Sequence, residues 1–77
     1  MINIEQLDVV LEAVREEYLN ARMKHSPMHS AHEGYAVLKE EVDELWDDVK
    51  ANRIELAKEE AVQVAAMAVA FILEPSM

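Results

Sequence analysis

Cysteine is absent, which excludes disulfides and thiolate metal sites. Glycine occurs once and proline twice among 77 residues, while 52% of the chain is hydrophobic. That balance belongs to a packed helical protein and excludes a disordered or β-rich one. Basic residues are few, seven against sixteen acids, and the formal net charge is −9. A nucleic-acid polymer is therefore not an expected partner, because wrapping a polyanion needs clustered lysine and arginine. A small anion chelated to a divalent cation stays open. No apolar run is long enough to span a bilayer, the longest being Ala61 to Leu73, broken by Gln63. No membrane association is expected. No basic region precedes an apolar stretch near the N-terminus, so a secretion signal is not expected and a cytoplasmic setting follows.

What is present is helical periodicity over the length of one domain, residues 1–77. Ile4, Leu7, Leu11, Val14, Tyr18 and Ala21 recur at three- and four-residue spacing, which predicts a first helix from about Ile4 to Lys24 with Asn3 as its N-cap. Pro27 disfavours helical geometry at Ser26 and should end it. Ser30 followed by Glu33 has the capping-box spacing and opens a second helix with Leu38, Val42, Leu45 and Val49 as its apolar stripe.

Asn52 offers a stop and, with Glu55, a further capping box, so a third helix should run from Arg53 to about Leu73, before Pro75. One unbroken helix would also satisfy the local preferences, since neither glycine nor proline lies between Tyr35 and Glu74. The difference matters for chemistry. Over 19 residues a continuous helix separates Glu41 from Glu60 by roughly 28 Å, whereas a hairpin brings them together. The third helix is apolar on nearly every side after Glu60, which one neighbour cannot cover. The expected fold is thus all-α, a three-helix chain with a long helical hairpin, assembling as a homodimer or homotetramer into a multi-chain helical bundle.

The chemistry-bearing residues fall on two stripes. Val37, Glu41, Glu44 and Asp48 share one face of the second helix, and Leu56, Glu60, Gln63 and Met67 share one face of the third. Antiparallel pairing would set an oxygen pair at i, i+3 on each arm at similar depth. Hard cations such as Mg²⁺ and Mn²⁺ favour such carboxylate oxygens. Glu41 and Glu44 alone equally describe a solvated acidic face. Glu60 is different, because it leads into a strongly apolar run where a carboxylate is disfavoured unless paired or metal-bound.

Lys50, Arg53 and Lys58 near the hairpin tip are candidates for phosphate contact, and Trp46, with Tyr35 and Tyr18, for stacking on a base, although such bases more often solubilise a surface and such aromatics more often pack in a core or interface. His25, His29 and His32 stand close in sequence, but Pro27 breaks the regular helix that ligation by all three would need.

Glu41-Val42-Asp43-Glu44 and Glu60-Ala61-Val62-Gln63 together resemble the Glu-x-x-Glu and Glu-x-x-Asp motifs of the MazG-like all-α nucleoside triphosphate pyrophosphohydrolases, notably the short phage and bacterial type. The resemblance covers roughly Ser30 to Phe71. It implies that Glu41, Glu44, Glu60 and, at the fourth position, Gln63 hold Mg²⁺, and that a nucleoside triphosphate is cleaved to the monophosphate and pyrophosphate for pool control or housecleaning. Gln63 departs from the pattern, since an amide oxygen can ligate a cation but brings no charge. The alternative is a non-catalytic helical oligomer that binds a nucleotide or a protein partner.

Overall fold

A computed structural model describes residues 1–74 and contains three helices, α1 (Ile4–Lys24), α2 (Ala31–Lys50) and α3 (Ile54–Leu73). Pro75, expected just beyond α3, lies outside the described residues. Asn3 caps α1 by accepting the Gln6 N–H at 3.0 Å, and the chain turns extended at His25. Ser30 caps α2 through the Glu33 N–H, also at 3.0 Å. The reciprocal arm is displaced by one residue, because the Glu33 carboxylate takes the His29 N–H at 3.1 Å. Both arms still satisfy amides at the helix start that would otherwise be left to water.

The break between α2 and α3 is a full turn, and its chemistry differs in part from the expectation. Asn52 adopts the left-handed conformation with φ 59°. The Asn52 N–H reaches the Val49 carbonyl at 3.0 Å and the Arg53 N–H reaches that of Asp48 at 2.9 Å. This pair of bonds is the Schellman closure, with asparagine where glycine is more common. Because Asn52 is spent on ending α2, it does not form a capping box with Glu55. Arg53 takes the N-cap position of α3 with no side-chain cap, and the helix begins at Ile54. The Arg53 guanidinium instead turns back to Asp48 at 3.0 Å and to the Asp47 carbonyl at 3.5 Å.

Helix α3 is the middle element, packed along α2 on one side and against α1 on the other. Ala66 and Ala70 are fully buried, and with Met28 and Met67 they form a core flanked by Val14, Tyr18, Ala21, Val37, Leu38 and Phe71. Their short side chains let two helices approach α3 closely. Gly34 does the same from α2, where a Cβ would stand 2.8 Å from the Phe71 ring. Ile4, Leu7 and Leu11 continue the stripe of Val14, Tyr18 and Ala21, yet remain 60, 45 and 55% exposed. The N-terminal half of α1 therefore overhangs the core uncovered. Among the described residues no helix is long and apolar enough to cross a membrane.

Candidate metal centre

The hairpin turns the two stripes toward each other. Glu41, Glu44, Asp48, Leu56, Glu60 and Gln63 line one open recess, joined by Glu59. Within it, Glu41, Glu44 and Glu60 each present an oxygen such that all three lie within 4.8 Å of one another. Glu44 is exposed, whereas Glu41 and Glu60 are half-buried. The depth difference follows from their neighbours, since Glu60 opens the apolar run of α3 and Glu41 lies one turn from core-packed Val37 and Leu38.

The electrostatics of the trio are unfavourable without a positive charge. A hydrogen bond shared with the Glu60 carboxylate, then burial, then the charges of Glu60 and Glu44, push Glu41 up to about 8. Like charges at this separation cannot all ionise at ordinary cost. With the carboxylates ionised, the fully buried Glu60 Oε2 atom meets no hydrogen-bond donor among the described residues. A buried carboxylate oxygen without a partner calls for a cation or a proton. The donor set, three carboxylates open to solvent on one side, is that of a hard divalent ion that keeps some of its water. Glu41, Glu44 and Glu60 fit such an ion.

Gln63 lines the same recess, and its amide is engaged from behind: Nε2 donates to Glu17 Oε1 of α1 at 2.7 Å. Glu17 was invisible to motif reasoning because only the docking of α1 on α3 brings it there. Gln63 also lines a second cleft, of about 520 Å³, that continues from the recess between α1 and the hairpin. Ala21, Met28, Val37 and Met67 form its apolar wall, with Asn20 and Lys24 among its polar groups.

The residues expected at phosphates and base are placed elsewhere. Lys50 stands 3.4 Å from Asp47 and over the Trp46 ring, Arg53 is held by Asp48, and Lys58 lies 3.7 Å from Glu55. None of these, nor Trp46, which is 56% exposed, lines the recess. Tyr35 is exposed, and Tyr18 is bonded to Glu74. His25, His29 and His32 are exposed and stand outside the cluster.

Compared with protein-family models, curated proteins and solved structures, the chain matches none of them.

Proposed function

We propose that the protein is a Mg²⁺- or Mn²⁺-dependent pyrophosphohydrolase of the MazG-like kind, converting a nucleoside triphosphate to the monophosphate and pyrophosphate. The observation that carries this reading is the buried, unpartnered Glu60 Oε2 within a trio of mutually close carboxylates. Glu41, Glu44 and Glu60 would hold the ion, and the amide oxygen of Gln63 is the fourth candidate. A bound divalent ion supplies charge neutralisation on the polyphosphate and a water acidic enough to attack phosphorus. A protein of charge −9 needs that ion to accept a polyanion at all. The adjoining cleft, at about 520 Å³, is of the size that takes an organic ligand, for which pockets run from about 300 to 1,000 Å³. Its apolar wall suits a base or sugar face, and Lys24, which lines it, is the candidate for a phosphate contact.

We also propose that the working form is a homo-oligomer. The support is the uncovered half-stripe of α1 and a core in which no large side chain among the described residues is fully buried. A second reading, cation and nucleotide binding without turnover, draws on the amide at position 63, which supplies no charge and no base.

The test is incubation of the protein with a panel of nucleoside triphosphates and Mg²⁺ or Mn²⁺. Monophosphate plus pyrophosphate is the expected product pair, and Glu41→Gln or Glu60→Gln should abolish it with helix content unchanged. Orthophosphate release would point to different chemistry. Undiminished turnover in both variants would remove the site.

A further inference from the structure

The geometry points to Glu17, on α1, as a positioning residue that acts through Gln63: it fixes the Gln63 amide so that the carbonyl oxygen is turned to the cation recess. This rests on the cation site described above.

A glutamine placed among carboxylates has an orientation problem that an aspartate lacks. Its two ends are opposite in character, one a donor and the other an acceptor. Left alone in the recess, the amino end would turn to Glu41 or Glu60 and donate, and the carbonyl would be turned away from any ion. Glu17 removes that choice. Its Oε1 stands 2.7 Å from Gln63 Nε2, a separation that opposite a carboxylate only an N–H tolerates. With the amino end held toward α1, the carbonyl end is directed away from Glu17. Gln63 lines both the recess and the cleft, while Glu17 lines only the cleft, so the pair spans the boundary between them. Glu17 also returns to the site the carboxylate that position 63 lacks, set one residue behind the ion. Outer carboxylates that orient a ligand in this way commonly change metal affinity 10- to 100-fold when removed.

The same hydrogen bond read as a plain helix-to-helix tie has a different consequence. It would contribute to stability and leave ion affinity alone. Mn²⁺ affinity, followed by the paramagnetic signal of the free ion, separates the two in wild type, Glu17→Ala, Gln63→Asp and the double variant, with circular dichroism on each. Glu17→Ala is expected to weaken Mn²⁺ binding roughly tenfold. In the Gln63→Asp background the same change is expected to have little effect, because a carboxylate presents an oxygen whichever way it turns.

Equal Mn²⁺ affinity in wild type and Glu17→Ala would overturn the positioning role while leaving the cation site standing. An equal loss in both backgrounds would show that Glu17 does not act through position 63, and would also overturn it. Absence of Mn²⁺ binding in wild type would bring down the site itself. Should Glu17→Ala lose helix content, Glu17→Met carries the test: it keeps the length but has no oxygen to hold the Gln63 amide, so the same weakening is expected and unchanged affinity overturns the proposal.

Discussion

The Tyr18 hydroxyl donates to Glu74 Oε2 across 2.9 Å, joining α1 to the C-cap of α3 over 56 positions of sequence. Glu74 is only 5% exposed. Oε1 takes the Met28 N–H at 3.0 Å, and Arg22 pairs with Oε2 from α1 while lying over the Tyr18 ring. One carboxylate thus ties the first helix, the connector and the end of the third. Its position at a helix C-terminus is unfavourable by itself, and Arg22 offsets that.

Removing this carboxylate should therefore be costly. Glu74→Ala leaves the Met28 amide and the Tyr18 hydroxyl without an acceptor and leaves Arg22 without its carboxylate, with only the His25 carbonyl still accepting from it at 3.0 Å. The expected loss is about 3 kcal/mol, the lower end for a broken buried pair because Arg22 still reaches solvent. Tyr18→Phe removes one bond and should cost about 1 kcal/mol. Urea unfolding checks both, and similar midpoints for the two variants would contradict the shared-acceptor account.

Gly34→Ala sets two effects of opposite sign against each other. Alanine gains about 1 kcal/mol of helix propensity over glycine. Against that, the new Cβ would stand 2.8 Å from Phe71 Cδ2 and 3.0 Å from Met28 Sδ. The methionine is flexible, whereas displacing the ring disturbs its packing against the core. Overpacking of this kind costs about 1–3 kcal/mol, so a net loss of up to about 2 kcal/mol is expected. A raised thermal midpoint would show that α2 and α3 separate more easily than their packing implies.

Much of this arrangement was legible in the chain, and where it was not the reason is physical. Local signals such as the Asn3 and Ser30 caps, the stop at Asn52 and the two carboxylate stripes depend on spacing alone, and spacing is what a sequence displays. The roles of Gly34, Glu74 and Glu17 depend on which helix docks on which, and no periodicity encodes that. The Asn52–Glu55 pairing failed for a local reason. One asparagine cannot both close α2 in a left-handed conformation and cap α3, and the closure took precedence. Lys50, Arg53 and Lys58 at the tip pair with Asp47, Asp48 and Glu55, and spacing alone does not say whether a base meets such a neighbour or a ligand.

Self-association should depend on the overhang of α1. Full burial of a leucine is worth about 1.5–3 kcal/mol, and Leu7 and Leu11 are each about half exposed before assembly, so Leu7→Ser with Leu11→Ser should weaken assembly roughly tenfold to hundredfold. Sedimentation of the wild-type chain at micromolar concentration is expected to give at least a dimer, and the double variant a smaller species. Wild-type protein that sediments as a compact monomer would contradict the assembly proposal.

Glu41 is raised to about 8 from an ordinary carboxylate value of 4.5, so the folded chain holds a proton that the unfolded chain has released. This group's contribution to stability is fully present below about 4.5 and is lost as pH rises through about 8. Without divalent ions, the wild type should lose stability across that window relative to Glu41→Gln, which has no proton to release there. A divalent ion competes with the same proton, so Mg²⁺ or Mn²⁺ should raise the thermal midpoint little at pH 6 and more at pH 8.5. In Glu41→Gln that growth in the ion's effect should shrink. Thermal melts of both proteins with Mn²⁺ and with a chelator, at the two pH values, measure all of this together. A Mn²⁺ effect that is equal at both pH values would mean that Glu41 does not give up its proton to a bound ion.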